Sequence, residues 1–313
     1  MMAATKIPEV VLGSSSGQRT MPVLGFGTAT DYLDPNALKT AVLEAIKLGY
    51  RHFDTASIYT SEQTLREAVA EAISLGLIAS RDQVFITSKM WCNDAHPDLV
   101  IPALKKSLQN LRMEYLDLYL IHWRISGKPG KLVYPLTEED LVPLDLKGVW
   151  AAMEESQRLA YSPLGGSGTS WGSSHVLESK VLQEIAEARV KTIAQVCIRW
   201  VYQTGTIVVV KSYNKERLKQ NVQVFDWELS EEDLDKINQT PQHKTILREE
   251  YVSANGPYKS LEEFWDGELN SKFFKSLVLF IFFAFVVCGI VDCGVTTMCH
   301  SFFLFFISVS FFG

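Results

Sequence analysis

The stretch YRHFDTASIY, residues 50–59, decides how the fold is interpreted. It follows a helical pattern ended by Gly49, and a short strand-like run within it ends in the polar Asp54, five residues before Tyr59. The same order of helix, strand and polar residue recurs at Lys89 and at His122. Because parallel strands that alternate with helices put their carboxyl ends on one face, we expect these four side chains to converge on one site.

The first half of the chain is predicted to contain four strands, each paired with a helix. The strands cover residues 21–24, 50–54, 84–87 and 115–121, and the helices cover residues 34–48, 64–75, 97–111 and 148–158. Before the first of these strands, Val10-Val11-Leu12 and the serine-rich turn at residues 13–17 predict a β-hairpin. Residues 25–28, with Gly25 and Gly27, are expected to end the first strand in a turn. Four further strand–helix units would close an eightfold parallel barrel, whose functional groups gather at the strand carboxyl ends.

The later half does not supply those four units. Helical patterns cover residues 178–189, 192–203 and 215–222, but only residues 160–164 and 206–210 are strand-like. We therefore predict an α/β protein with an incomplete TIM (β/α)8-type barrel of about six of eight strands, preceded by the hairpin. Two strand–helix units are expected to be missing at about residues 158/159, either because they were lost or because the arrangement is an unusual six-stranded one.

Composition excludes several classes of protein. The net charge is -6 and no basic stripe is present, so we expect no nucleic-acid partner. The five cysteines show neither metal-ligand spacing nor a disulfide framework, so we predict no metal site and a reducing, cytoplasmic location. A hydrophobic fraction of 47% with 21% charged residues is typical of a globular chain, apart from its tail.

Several motifs in order give the chain a resemblance to the aldo-keto reductase superfamily, most of all to the plant branch that contains chalcone reductase and codeinone reductase. The motifs are LGFGT at 24–28, FDTA at 53–56, Tyr59, TSK at 87–89, IHW at 121–123, YSPLG at 161–165 and VKS at 210–212. The resemblance implies an NADPH-dependent enzyme that reduces the carbonyl of a small aldehyde or ketone in plant secondary metabolism. The resemblance covers about residues 8–270 within a domain at residues 1–270, and we expect a monomer.

The catalytic tetrad of that family falls on Asp54, Tyr59, Lys89 and His122. Tyr59 would donate a proton to the carbonyl oxygen as hydride reaches the carbon. A tyrosine with its ordinary pKa of about 10 needs help from a neighbouring ammonium, which Lys89 would provide while Asp54 holds Lys89 in place. His122 would orient the carbonyl, and the substrate pocket would be lined by His122, Trp91 and Trp123.

The resemblance also implies a cofactor site without a Rossmann glycine turn. Its residues are Gly27, Thr28, Asp54, Tyr161, Ser162, Leu164, Lys211, Ser212, Tyr213, Arg217, Gln220 and Asn221. Tyr161 would stack on the nicotinamide, and the loop at residues 165–172 would wrap the pyrophosphate. Lys211 and Arg217 would grip the 2′-phosphate of NADPH, because a phosphate needs charged donors.

Two departures from the family pattern matter. The missing block, roughly sixty residues in family members, contains two strands, two helices and the Ser-Asn pair and Gln that clamp the nicotinamide carboxamide. Arg124 stands where the family usually has Pro. An unclamped nicotinamide loses alignment, and a misplacement near 1 Å can cost about a hundredfold in rate. A truncated, non-catalytic splice relic is therefore the alternative to an active reductase.

The segment at residues 271–313 is a hydrophobic tail unlike the family. Residues 273–291 are apolar except for Lys275, which is borderline for a transmembrane segment because about 17 to 25 apolar residues span a bilayer. A membrane-anchored NADPH-binding protein is thus a third alternative. The tail also suits translated intron sequence, which is the interpretation we favour because the internal loss nearby already suggests aberrant splicing.

Overall fold

The computed structural model describes most of the body of the chain. The described residues are 6–12, 19–30, 33–130, 134–153, 175–240, 242–244, 249–254, 256–264 and 309–311. Five of the sequence-based expectations lie outside them. These are the hairpin turn at residues 13–17, the strand at residues 160–164 with Tyr161, Ser162 and Leu164, the loop at 165–172, the loss at 158/159 and the apolar segment 273–291.

Eleven strands occur in the described residues. They are β1 (Glu9–Leu12), β2 (Arg19–Pro22), β3 (Leu24–Gly27), β4 (His52–Asp54), β5 (Phe85–Met90), β6 (Leu118–Ile121), β7 (Ser126–Gly127), β8 (Leu141–Val142), β9 (Val208–Val210), β10 (Gln242–Lys244) and β11 (Val309–Phe311). The predicted N-terminal hairpin is present as the antiparallel pair of β1 and β2. Two further antiparallel pairs, β7 with β8 and β10 with β11, were not predicted.

Ten α-helices accompany these strands within the same residues. They are α1 (Pro35–Lys47), α2 (Glu62–Ser74), α3 (Val100–Leu111), α4 (Leu146–Met153), α5 (His175–Glu178), α6 (Lys180–Arg189), α7 (Ile193–Gln203), α8 (Lys215–Val222), α9 (Glu231–Gln239) and α10 (Leu261–Phe264). The start of α1 follows directly from the sequence, because the Asp34 carboxylate accepts hydrogen bonds from the backbone of Asn36 and Ala37, and Pro35 occupies the first helical position.

A five-stranded parallel sheet forms the centre of the fold, in the order β6-β5-β4-β3-β9. The first four strands are neighbours in chain order, and the last strand of the sheet lies next to the first. That is the cyclic order of a (β/α) barrel, so the predicted class is confirmed. In the described residues the sheet has five strands and does not close, since β6 and β9 form its edges.

The main hydrophobic core lies between this sheet and the first helices. Phe26 on β3 packs against Tyr50 and Phe53 with ring centroids 6.3 and 6.0 Å apart, and all three side chains are fully buried. α1 and α2 cover them with an apolar stripe each. The same packing fixes the position of each strand along its axis, and therefore where its carboxyl end lies.

The first sheet strand differs from its prediction. Gly25 and Gly27 lie within β3 rather than in a turn after it. A Cβ on Gly25 would come within 2.7 Å of Nδ1 of His52 on the neighbouring strand, so the first glycine is needed for close strand packing and not for a turn. α3 also begins later than expected, at Val100, because the backbone of residues 96–100 first forms a turn with Leu99 and Val100 donating to His96.

No helix formed by the described residues has the length and apolar character needed to cross a membrane.

Candidate active site

The carboxyl ends of β4, β5 and β6 bring the four predicted catalytic residues together. Asp54 is the last residue of β4, Lys89 lies near the end of β5, and His122 follows β6 directly. Tyr59 belongs to a short 3-10 turn at Ser57–Tyr59, which leads from β4 into α2. The parallel register pairs Asp54 with Thr87 and Lys89 with Leu120, so all the carboxyl ends lie on one face.

Lys89 is the centre of this cluster. Its Nζ donates to Asp54 Oδ1 at 2.6 Å, to the Thr55 carbonyl at 2.9 Å and to Tyr59 Oη at 3.5 Å. The ammonium also lies 4.8 Å from the centroid of the Tyr59 ring. The Lys89 and Asp54 side chains are each 2% exposed, so the ion pair is shielded from water. The cation is thus held within reach of the phenol oxygen.

The buried ion pair shifts both of its members. Burial raises the pKa of Asp54 and lowers the pKa of Lys89, because a low-dielectric site disfavours either charge, while their mutual attraction opposes both shifts. Removal of either partner would leave the other charge buried without compensation. The pair therefore acts as one unit.

His122 lies on the other side of the phenol. Its Nε2 is 3.2 Å from Tyr59 Oη, and the two rings meet edge to face with centroids 5.2 Å apart. Burial first, and the charge of Lys89 second, lower the pKa of His122 well below its ordinary value. The imidazole is therefore neutral at physiological pH. A neutral ring beside the phenol can share a hydrogen bond without competing with Lys89 as a cation.

The predicted substrate residues lie next to this cluster. Trp91 packs edge to face on His122 with centroids 5.0 Å apart, and it belongs to an apolar cluster that also contains the half-buried Trp123. Tyr251 and Phe264, which the sequence did not single out, complete that cluster from the C-terminal segment.

Arg124, the residue that departs from the family pattern, is tied to the same C-terminal segment. Its carbonyl accepts a hydrogen bond from Tyr258 Oη at 3.1 Å. The C-terminal segment, described at residues 249–254 and 256–264, therefore packs against one side of the predicted pocket.

The described cofactor residues fall into two groups. Gly27 and Thr28 lie at the end of β3, and the Thr28 hydroxyl is occupied by the Asp54 carbonyl at 3.0 Å and by Ser61 Oγ at 2.7 Å. Thr28 is completely buried, so its hydroxyl is a structural contact between strand ends rather than a free donor. Thr28 therefore links the end of β3 to the end of β4 beside the catalytic cluster.

The second group surrounds the start of α8. Lys211 follows β9 directly, and its Nζ donates to the Ala29 carbonyl at 2.8 Å. Ser212 is buried and donates to the Asn214 carbonyl at 3.4 Å, while Tyr213 and Arg217 are exposed. Asn221 is buried in the last turn of α8, and Gln220 is half-buried beside it.

Ser61 and Glu62 are two buried polar residues at this site that the sequence did not indicate. Directly after the Tyr59 turn, a serine followed by a glutamate is typical of an ordinary solvated helix start. In the structure both side chains are within 2% of complete burial, and Ser61, the N-cap residue of α2, makes no side-chain capping hydrogen bond. No pattern in the chain distinguishes them from a surface pair.

Comparison with known proteins agrees with this geometry. The Aldo/keto reductase family matches residues 23–160 and 160–241. Deoxymugineic acid synthase 1-D of Triticum aestivum is 45% identical over 312 residues, which cover 81% of this chain and 99% of the relative.

Two further relatives are reductases by name. The 7-acetyl-epi-neemfruitin B aldo-keto reductase of Melia azedarach is 47% identical, over 86% of this chain and all of the relative. The (1S)-1,7-diacetoxy-luvungin A aldo-keto reductase of Citrus sinensis is 45% identical, over 85% of this chain and 99% of the relative. The chain therefore belongs to the aldo/keto reductase family, a family of oxidoreductases that act on carbonyl groups and use a nicotinamide cofactor.

Proposed function

We propose that this chain uses NADPH to reduce the carbonyl of an aldehyde or ketone, a plant secondary metabolite, to an alcohol. One observation carries the proposal: the Tyr59 phenol oxygen lies 3.5 Å from the Lys89 ammonium and 3.2 Å from the His122 imidazole. When bound, NADPH supplies the hydride. The chain's own residues must then place the carbonyl and provide the proton.

Tyr59 is the proton donor in this proposal. Hydride addition puts charge on the carbonyl oxygen, and a general acid within hydrogen-bond reach lowers the barrier by neutralising it. Lys89 stabilises the tyrosinate that remains, and Asp54 together with the Thr55 carbonyl fixes the lysine. His122, neutral and buried, hydrogen-bonds the carbonyl oxygen and so orients the substrate against Tyr59.

The second group of cofactor residues fits the 2′-phosphate of NADPH. Lys211 and Arg217 place two cations at the start of α8, where the first backbone N–H groups of a helix favour an anion. Lys211 lies beside Gly27, where the paired strands β3 and β9 end. The proposed phosphate site and the tetrad therefore lie at the same carboxyl end of the sheet. Tyr161, Ser162, Leu164 and the adenine contacts of Gln220 and Asn221 complete the proposed cofactor site.

We also propose that the reductase domain, residues 1–270, lacks two strand–helix units and is followed by an unrelated tail at 271–313. Two observations support this. The described sheet has five strands with β6 and β9 at its edges. The alignment to the wheat relative spans 312 positions and nearly all of that protein, yet it uses only 81% of a 313-residue chain.

Purified full-length protein tests the proposed function. We expect NADPH to be consumed with a panel of aldehydes and ketones, with one alcohol formed per NADPH, and NADPH fluorescence to be quenched on binding. Circular dichroism would show cooperative unfolding. A folded protein that quenches NADPH fluorescence but reduces none of the panel would refute the proposed reduction and favour a non-catalytic NADPH-binding relic.

The proposed location and assembly have their own tests. We propose a monomer in the cytoplasm. It should elute at the size of one chain in gel filtration, and carbonate washing should release it into the supernatant. Retention in the membrane pellet would instead favour residues 273–291 as an anchor.

A further inference from the structure

Glu62 is a buried carboxylate that the proposed mechanism does not use. It is 2% exposed and is the first residue of α2, three positions after Tyr59. A carboxylate is rarely buried to this extent unless it is paired or fully hydrogen-bonded. Its position in the chain makes it a direct continuation of the turn that carries the phenol.

Both oxygens of Glu62 have specific donors. Oε1 accepts from Ser88 Oγ at 2.7 Å, and Oε2 accepts from Asn110 Nδ2 at 2.8 Å. Ser88 precedes Lys89 on β5, and Asn110 lies near the end of α3. One side chain thus joins three elements: the helix after Tyr59, the strand of Lys89 and the next helix.

Ser61 makes a second connection of the same kind. Its Oγ lies 2.7 Å from Thr28 Oγ1 and 2.9 Å from Thr55 Oγ1, and all three side chains are fully buried. Thr55 in turn offers its carbonyl to Lys89. Ser61 therefore fixes the same turn to the ends of β3 and β4, while Glu62 fixes it to β5.

We propose that Glu62 is a positioning residue for the proton-donating pair: its carboxylate locks the Tyr59 turn to the strand of Lys89 and places a second negative charge behind that lysine. Successive side chains on a strand point to opposite faces, so Ser88 and Glu62 act from behind the sheet while Lys89 faces the site. This inference rests on the proposed function, because it concerns the positions of Tyr59 and Lys89, the residues proposed to supply the proton.

The charged and titratable groups around Lys89 make the charge of Glu62 significant. These groups are His52 and Asp54 on β4, Tyr59 in its turn, Glu62 at the start of α2 and His122 directly after β6. Burial lowers the pKa of Lys89, and the charges of Asp54 and Glu62 oppose that shift. Glu62 is thus a second carboxylate that favours the charged lysine.

A pair of variants separates positioning from simple stability. Glu62→Gln keeps the size of the side chain and removes its charge, whereas Asn110→Ala removes a hydrogen bond to the same carboxylate and keeps the charge. The full-length proteins are compared by kcat and KM for benzaldehyde at saturating NADPH, by urea unfolding, and by nuclear magnetic resonance titration of the labelled Lys89 side chain, which is assigned with Lys89→Met.

We expect Glu62→Gln to lower kcat about tenfold with KM unchanged, because the proton donor is displaced and not the substrate. Its Lys89 titration should move to lower pH. Asn110→Ala should be destabilised with kcat and the Lys89 titration near wild type. If Glu62→Gln does not fold, Glu62→Asp, which keeps the charge but shortens the reach, should lower kcat with little change in the titration.

Several results would overturn the inference. These are wild-type kcat in Glu62→Gln or in Glu62→Asp, an unmoved Lys89 titration in Glu62→Gln, or an equal loss of kcat in Asn110→Ala. If the wild-type protein reduces no carbonyl, the proposed function fails by itself. The Lys89 titration still decides whether Glu62 acts on that lysine.

Discussion

The two halves of the chain present their functional groups in different ways. Between residues 24 and 153, four strands of the central sheet pair in chain order, and the catalytic candidates lie at strand ends or, for Tyr59, in the turn that follows β4. In the described residues between 175 and 264, six α-helices accompany a single strand of the central sheet, β9, and the described second group of cofactor candidates lies where that strand leads into α8. The first half thus forms a buried catalytic cluster, and the second half presents the exposed cations Lys211 and Arg217.

In this account, the first half of the chain carries the residues for the reaction, and the second half carries those that select the cofactor. The Lys89–Asp54 pair is shielded and interlocked through Ser61 and Glu62, so its geometry depends on core packing. Lys211 and Arg217 meet solvent, so their contribution depends on charge and on the helix start rather than on packing. Variants in the first half should therefore affect both stability and turnover, and variants in the second half should affect cofactor affinity.

The largest expected effect comes from breaking the buried pair. Lys89→Met should lower the free energy of unfolding by about 3–5 kcal/mol, because Asp54 would remain buried without its cation. It should also abolish detectable turnover. Urea unfolding and NADPH consumption measure the two losses.

A double variant provides the control for that loss. Asp54→Asn combined with Lys89→Met removes both charges, so most of the stability should return while turnover stays absent. Full turnover in either protein would contradict the role given to the ammonium.

Acid should weaken the first half through His52. Burial lowers the pKa of His52 to about 4, while its ring nitrogens contact the Pro22 carbonyl and Thr87 Oγ1. The unfolded chain, with an ordinary histidine pKa near 6.5, takes up the proton first as the pH falls. The stabilisation is therefore present above pH 6.5 and is lost progressively down to about pH 4, by up to about 3 kcal/mol.

Urea unfolding across that pH range checks the prediction against His52→Gln, which cannot titrate. His122 is present in both proteins, so its own contribution cancels in the difference. Parallel pH dependence in the two proteins would show that the buried His52 is not responsible.

In the second half, Lys211→Met should weaken NADPH binding about ten- to a hundredfold, because a charge-assisted contact to phosphate is worth about 1.5–3 kcal/mol. NADH binding should change little. Lys215→Met is the matched control, since Lys215 lies on the same helix start but pairs with Glu44 at 2.9 Å. Equal losses for the two cofactors, measured by fluorescence quenching, would argue against a 2′-phosphate site.

The smallest expected effect is a gain in stability. Val190 ends α6 with φ 52° and ψ 46°, a left-handed conformation that is costly for a β-branched residue, and its side chain is 90% exposed. Val190→Gly should raise the free energy of unfolding by about 1 kcal/mol. Val190→Ala, which retains a Cβ, should gain less, and a loss of stability in Val190→Gly would contradict the strain.

Local sequence signals were sufficient for several elements. The α1 start at Asp34-Pro35, the strand end at Asp54 and the α8 bounds all follow from capping and periodicity. They succeed because each unit repeats the same helix–strand pattern and buries one face.

Features that depend on contacts between distant residues escaped prediction. Gly25 was expected in a turn and lies in β3, because the constraint is the ring of His52 on the next strand. Ser61 and Glu62 have the composition of a surface helix start, and their burial follows only from how β3, β5 and α3 meet. Tyr251 and Phe264 reach the pocket from a segment far along the chain.

The most direct test of the central claim compares wild type with Tyr59→Phe in a single turnover, with NADPH bound and an excess of the best carbonyl substrate. We expect NADPH affinity to be equal in the two proteins and reduction to be about a thousandfold slower without the phenol, because only the proton donor is lost. Equal rates of reduction in the two proteins would show that Tyr59 is not the acid and would contradict the account.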